Sequence, residues 1–386
     1  MTGFGTTNLP YGVFQPAGAS PRVGVAVEDL VLDLSVLLDS PGEFAQSSLN
    51  AFLAQGRPRW QEVRRFVMTR VAQGVGAHQD GVYRARDVTV LMPLEVADFV
   101  DFFSGIEHAT NMGYILRPED KDPLKPNYRH LPVGYHGRAG TVLPSGVAIV
   151  RPLGQVSTAD GVALRASRRL DIEVELGYVI GVPSRLGEAV PISAFRDHVF
   201  GVVILIDWSA RDIQAWEYQP LGPFLAKSFG TTISPWVLPL DALDDGGWAD
   251  GPVQDPAVLP YLRDTEPRNP AIVLEVELNG TLLSRPNATR LYWSPAQQLA
   301  HMTRNGASLR TGDLFGTGTI SSSEPDGMGS LMEISWGGTK KIELADGTSR
   351  TFLEDGDEVV LRAAIAGDPG RSLGEARARI LPAPAE

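Results

Sequence analysis

The sequence predicts a mostly β, α+β chain of two domains, and three observations carry that prediction. Short runs rich in β-branched and aromatic residues recur along the 386 residues, separated by turn formers. Glycine (41) and proline (29) are abundant but dispersed among these runs, which suits tight turns between strands rather than low-complexity disorder. One long stretch, Leu49–Val75, carries a helical period, and Pro93 interrupts the chain soon afterwards. With 43% hydrophobic and 21% charged residues the chain can bury a large core, and we expect domains at 1–93 and 94–386.

Taken in order, Arg22–Ala26 and Leu30–Leu34 read as two strands around a Glu28-Asp29 turn. Within Leu49–Val75 the residues Phe52, Leu53, Trp60, Val63, Phe66, Val67 and Val71 form an apolar helical pattern among arginines. Val88–Met92 reads as the last strand of the first domain. Arg169–Gly181 alternates, with Asp171, Glu173 and Glu175 on one face and Ile172, Val174 and Leu176 on the other. Residues 241–271, rich in Asp, Gly and Pro, read as a long surface loop. Ile272–Leu278, Asn279-Gly280 and Thr281–Ser284 form a hairpin pattern, because Asn-Gly suits a type I′ turn. Leu331–Trp336, Phe352–Leu361 and Ala376–Leu381 read as strands, with Glu333 on one face beside Leu331 and Ser335. No internal repeat of fixed period is present.

The formal net charge of -12 argues against a nucleic-acid or anionic-membrane surface, though a small anionic ligand needs only a local positive patch. There are no cysteines, which excludes disulfides, thiolate metal sites and a cysteine nucleophile. The first residues show neither a basic leader nor an apolar signal core, and no apolar run is long enough to span a bilayer. A soluble, cytoplasmic protein is the expectation.

The chemistry concentrates after residue 200. The apolar run Gly201–Ile206 ends in Asp207, and Arg211, Gln214 and Tyr218 follow at intervals of four, three and four. On a helix these four would share one face. An ordinary surface ion pair between Asp207 and Arg211 would be worth less than about 1 kcal/mol. Their place at the end of a buried run, with Lys227 close behind, favours a site for a metal and an anionic, carbonyl-rich substrate.

Glu173 and Glu175 lie two apart on a strand, so both can grip one hard cation. Glu275 and Glu277 repeat the same EVEL tetrapeptide beside a hairpin turn and are expected to be the solvated copy. Asp101 adds a further carboxylate, and His108 follows it by seven residues. Asp101, Glu173, Glu175 and Asp207 together suit Ca²⁺, Mg²⁺ or Mn²⁺. Among the histidines, His108, His130, His136 and His301 are candidate bases, whereas His78 and His198 need no function. Gly316–Pro325 (GTGTISSSEP) lacks the Gly-Lys-Ser/Thr ending of a phosphate loop, so its glycines more naturally let backbone approach a ligand.

Seven segments in the same order resemble the fumarylacetoacetate hydrolase family over nearly the whole chain. They are NLPYGVF (Asn8–Phe14), DFFSGIEHATNMG (Asp101–Gly113), HLPVGYHGR (His130–Arg138), LDIEVELGYVIG, Asp207–Trp236, GTISSSEP and MEISWGGTK (Met332–Lys340). The resemblance implies a small SH3-like N-terminal barrel and a larger mixed β-roll catalytic domain, assembled as a homodimer. It implies hydrolysis of the C–C bond of fumarylacetoacetate to fumarate and acetoacetate, the last step of tyrosine and phenylalanine breakdown. It further implies Ca²⁺ (or Mn²⁺) held by Asp101, Glu173, Glu175 and Asp207, which selects the first EVEL copy. A neighbouring Mg²⁺ would contact Asp207 near Lys227 and Thr231. His108 would be the base, oriented by Glu333; Arg211, Gln214 and Lys227 would stabilise the oxyanion. Arg117, Tyr135, Gln214, Tyr218 and Thr319 would contact the substrate. One departure stands out: Phe103 occupies a position where the family typically has a substrate-contacting tyrosine. Another diketo-acid hydrolase or decarboxylase of the same superfamily is the nearest alternative. A metal-stabilised binding protein without catalysis is disfavoured by the presence of both His108 and Glu333.

Overall fold

The computed structural model describes residues 4–264 and 268–385. The chain opens with three antiparallel strands, β1 (Tyr11–Pro16), β2 (Arg22–Val27) and β3 (Leu30–Asp33). The expected strand through Leu34 stops one residue early, because the Asp33 carboxylate accepts from the backbone of Ser35 and Val36 and starts a helical turn. The expected helix over Leu49–Val75 is two helices, α1 (Asn50–Leu53) and α2 (Arg57–Ala72). Gly56, at φ +80°, breaks the run, a conformation that costs glycine little. α2 turns Trp60, Val63 and Val67 into the core, and β4 (Val88–Val90) returns to pair with β1.

The next elements are β5 (Phe99–Phe102), α3 (Ile106–Leu116) and β6 (Gly134–His136). Then come two long antiparallel strands, β7 (Leu170–Ile180) and β8 (Val199–Ala210), in which every residue is buried. β8 leads into α4 (Arg211–Glu217), β9 (Thr231–Ile233) and β10 (Trp236–Pro239). The stretch 241–271 is more ordered than a surface loop. Trp248–Asp250 pairs with Arg268–Pro270, while Leu262 and Asn269 are buried; its residues 265–267 lie outside the described residues.

The hairpin is found as expected between β11 (Ile272–Leu278) and β12 (Thr281–Ser284), with Asn279 at φ +49° and Gly280 at φ +76°. β13 (Leu314–Gly316) follows. Leu331–Trp336 is not a strand: α5 (Leu331–Ile334) forms instead, because the Ser330 hydroxyl accepts from the Glu333 amide and caps a helical turn. Phe352–Leu361 is a strand only from Glu358, where β14 (Glu358–Ile365) begins. A turn closed by the Asp357 carboxylate on the Glu354 amide precedes it. β15 (Asp368–Leu381) extends the last expected strand toward its N-terminus.

The molecule is thus mixed but mostly strand, with a small N-terminal domain and a larger sheet domain. β10 pairs with both β1 and β8, so one sheet runs β3-β2-β1-β10-β8-β7-β13-β5-β6. The two faces of β7 have different partners. Ile172, Val174, Leu176, Tyr178 and Ile180 enter the large core with Ile204, Ile206 and Trp208 of β8. Val179, Val203 and Leu205 on the other face join the N-terminal core beside Phe52 and Trp60. The carboxylates Asp171, Glu173, Glu175 and Asp207 continue that second face beyond the apolar residues, where the sheet opens toward α3 and α4.

Candidate active site

Four adjacent strands bring the carboxylates together. Glu173 of β7 stands opposite Asp207 of β8, and Gly316 of β13 pairs with Gly177 of β7 on one side and Asp101 of β5 on the other. Asp101, Glu173, Glu175 and Asp207 offer oxygens that all lie within 4.8 Å of one another, and all four side chains are buried. Among the described residues this is the cluster of ligand-type side chains with metal-binding geometry. A Cβ on Gly316 would sit 2.6 Å from Asp101 Oδ1 and 2.7 Å from Glu175 Oε2, so glycine is what leaves room for the carboxylates. Gly318, at φ +72°, turns its N–H onto Glu175 Oε2 at 2.9 Å. Glu275 and Glu277 lie far less buried on β11 and pair with Arg285 and Arg362.

Charge in the cluster is unbalanced. Lys227 Nζ donates to Glu173 Oε2 at 2.5 Å and to Asp207 Oδ2 at 2.7 Å, and Arg211 reaches Glu173 Oε1 at 2.6 Å. Burial alone would raise the Glu173 carboxyl, but Lys227 and Arg211 hold it well below the usual range. Burial, with the Asp207 charge, pushes Asp101 up to about 8, and burial beside Asp101 drives Glu175 well above the ordinary value. Asp101 Oδ1 and Glu175 Oε1 are buried with no hydrogen-bond partner. Two cationic side chains serving four buried carboxylates leave a deficit of two positive charges, which one divalent ion would fill, and oxygen donors suit a hard one. Lys227 fills the space between Glu173 and Asp207 as a donor, and those carboxylates hold its ammonium above its ordinary range against the effect of burial. Its ammonium is therefore a donor and not a cation ligand, and beside it the Thr231 hydroxyl donates to Asp207 Oδ1 at 3.1 Å.

His108 on α3 is 1% exposed, and its Nδ1 lies 2.6 Å from Glu333 Oε2. The same oxygen accepts from Ser330 at 2.7 Å and Ser321 at 3.0 Å, and Oε1 accepts from Asn111 at 2.9 Å. Burial opposes the charge on Glu333, but His108 and these donors outweigh it and hold the carboxyl below its usual value. With Nδ1–H assigned to Glu333, His108 Nε2 is left as an acceptor; it has no hydrogen-bond partner and points toward Glu173, 3.7 Å away.

Asp207 does not share a helix with Arg211, because β8 stays paired with β7 as far as Ala210↔Leu170. Arg211 and Gln214 do share one face of α4, with Arg211 NH1 donating to Gln214 Oε1 at 3.0 Å. Tyr218 caps that helix, exposed, and its hydroxyl accepts from Gln219. Tyr135 donates to Asp207 Oδ2 at 3.0 Å. Thr319 is buried with a free hydroxyl, and the Phe103 ring meets the His108 ring edge-on at 5.3 Å. Arg117 is held by Asp120 and the Pro123 carbonyl rather than by the cluster. Of the other candidate histidines, His130 and His136 are exposed and His301 bonds Tyr261 at 2.9 Å. His198 bonds the Val182 carbonyl, and His78 is exposed.

Sequence reasoning gave no role to Asn111, Ser321, Ser330 or Asp171. The Ser330-x-x-Glu333 spacing, a helix-capping pattern, was the available signal for Ser330 and for the helix itself.

Residues 99–381 match the family profile described as "Fumarylacetoacetate (FAA) hydrolase C-terminal", and residues 7–95 match "Fumarylacetoacetase N-terminal". The chain is 44% identical to the fumarylacetoacetase of Rattus norvegicus, covering 98% of this chain and 96% of that protein. It is 44% identical to that of Homo sapiens (97% and 96%) and 42% identical to that of Arabidopsis thaliana (99% and 96%). The fold is shared with the fumarylacetoacetate hydrolase of Exiguobacterium antarcticum, at TM-score 0.57 and 18% identity over 97% of this chain and 99% of that one. It is also shared with a maleylpyruvate hydrolase from Sphingobium sp. SYK-6, solved with manganese(II) and pyruvate. There the TM-score is 0.55 at 16% identity, covering 97% of this chain and 100% of that one.

Proposed function

Because the chain belongs to the fumarylacetoacetate hydrolase family, we propose that it hydrolyses fumarylacetoacetate to fumarate and acetoacetate. The observation that carries this reading is the buried His108–Glu333 pair, whose free Nε2 faces the carboxylate cluster. A histidine so placed can take a proton from water, and Glu333 holds its tautomer and stabilises the imidazolium that forms. Hydroxide then bonds to the carbonyl carbon on the fumaryl side of the diketone.

Donors for the resulting oxyanion are already fixed. Arg211 NH2 has no partner, and Gln214 accepts from Arg211 through Oε1, which leaves its amide N–H groups to donate. Lys227 spends two of its three N–H groups on Glu173 and Asp207. Donors set before charge develops are each worth about 3 kcal/mol in rate. The C–C bond then breaks with its electron pair passing to acetoacetate as an enolate, and the proton held by His108 returns to that carbon. Thr319 and Tyr135 orient the substrate from positions beside the cluster, while Arg117 and Tyr218 must turn inward to reach it.

Asp101, Glu173, Glu175 and Asp207 would hold Ca²⁺ or Mn²⁺, since oxygens about 2.4 Å from one ion lie up to about 4.8 Å apart. When bound, that cation supplies Lewis-acid stabilisation of the diketone oxygens. The same reading includes a division near Pro93, a homodimer, and a cytoplasmic place at the end of tyrosine and phenylalanine breakdown. Among the described residues no helix is long and apolar enough to cross a membrane.

Steady-state turnover of fumarylacetoacetate, compared with fumarylpyruvate and acylpyruvates, tests the substrate. We expect kcat/KM for fumarylacetoacetate to exceed the others by at least about tenfold. A higher value for an acylpyruvate would overturn the assignment.

A further inference from the structure

We infer that Asp171 is a positioning residue that locks the oxyanion arginine, Arg211, to the backbone that carries Glu333. Asp171 is fully buried on β7, two residues before Glu173, yet its carboxylate is outside the four-carboxylate cluster. It accepts four hydrogen bonds from three separate parts of the chain. Oδ2 takes Arg211 Nε at 2.7 Å and the Met332 amide at 3.2 Å; Oδ1 takes the Leu331 amide at 2.7 Å and the Ile172 amide at 2.8 Å.

The geometry makes Asp171 more than a partner for a buried charge. Arg211 has three sides to its guanidinium. Nε is taken by Asp171, and NH1 is taken by Glu173 and Gln214. NH2 alone is unpartnered, although buried. Asp171 therefore decides which edge of the guanidinium is presented to substrate. The same carboxylate, through Leu331 and Met332, fixes the turn that puts Glu333 under His108. One side chain sets the spacing between base and oxyanion donor, a distance that catalysis tolerates poorly when it is wrong.

The inference rests on the proposed hydrolase function, and the test separates the two. Asp171→Asn keeps the shape but, whichever way the amide is turned, points its N–H groups at two of the four donors. We expect kcat for fumarylacetoacetate to fall about a hundredfold, the loss of one misplaced oxyanion donor, with KM within about threefold. Calorimetric binding of a phosphinate whose tetrahedral oxygens mimic the hydrated carbonyl should weaken by a similar factor, while fumarate binding changes less than about threefold. In an Arg211→Gln background, Asp171→Asn should cost less than about threefold further, because its effect passes through Arg211.

Losses that multiply, a KM rise at unchanged kcat, or equal weakening of phosphinate and fumarate would each overturn the inference. If Asp171→Asn does not fold, Asp171→Glu carries the same measurements, its longer arm displacing Arg211 while keeping the charge. Failure of both to fold would make the carboxylate a folding determinant and overturn the positioning role. Active wild-type protein with an unimpaired Asp171→Asn variant sinks the inference alone. Wild-type protein that neither turns over fumarylacetoacetate nor binds the phosphinate sinks the functional reading instead.

Discussion

Replacing Glu333 by Gln removes the charge beneath His108 and keeps the shape of the side chain. Three donors, from His108, Ser321 and Ser330, converge on Oε2, and Asn111 alone serves Oε1. A glutamine carbonyl can occupy the three-donor corner, and Asn111 can reverse its amide to accept from the new NH2, so the fold should survive. What is lost is the attraction between carboxylate and imidazolium in the transition state. Both groups are buried, with charge centres about 4 Å apart; at an effective dielectric of about 20 that is about 4 kcal/mol. At 1.36 kcal/mol per decade, kcat should fall about a thousandfold. The loss of absorbance of the conjugated diketone reads the rate directly, and circular dichroism checks the fold. In a His108→Ala background the same substitution should cost less than about threefold, since the carboxylate then has nothing to orient. A fall in kcat of less than about tenfold, or losses that multiply in the double variant, would refute the pairing.

Three further outcomes follow from the site. Dialysis against a chelator should abolish turnover, and Ca²⁺, Mn²⁺ or Mg²⁺ should restore it; full activity in metal-free protein would contradict a cation at the carboxylates. A saturating cation at 100 times its Kd should also stabilise the fold by about 2.7 kcal/mol, seen as a rise in Tm. Gly316→Ala places a methyl 2.6 Å from Asp101 Oδ1, so cation affinity measured by calorimetry should drop at least about tenfold with little change in circular dichroism; unchanged affinity would show that the carboxylates do not need that space. Phe103→Tyr adds a hydroxyl to a ring packed edge-on against His108, and should lower KM for fumarylacetoacetate by about threefold to tenfold with kcat little changed. No gain there, combined with lost activity on another diketo acid, would point to that acid as the substrate.

Several features were legible in the chain because they depend on neighbours in sequence. The Asn279-Gly280 turn and the alternation of Leu170–Ile180 are set by local backbone preference and side-chain period. The spacing of Glu173 and Glu175 put both on one face without reference to anything distant. Tertiary structure decided what those local patterns could not. The two EVEL copies have the same intrinsic pattern, and only burial between β8 and β13 separates the cluster pair from the surface pair on β11. Glu333 looked like part of a strand because Leu331, Glu333 and Ser335 alternate with apolar Met332 and Ile334. The capping hydroxyl of Ser330 and the Asp171 carboxylate, 160 residues from Leu331 in sequence, turn that segment into a helix instead. The same long-range pairing keeps Asp207 in a strand as far as Ala210, where an apolar run alone suggested an earlier end. Local sequence fixes which conformations are inexpensive; hydrogen bonds and charges brought together from distant strands choose among them, and those pairings build the site.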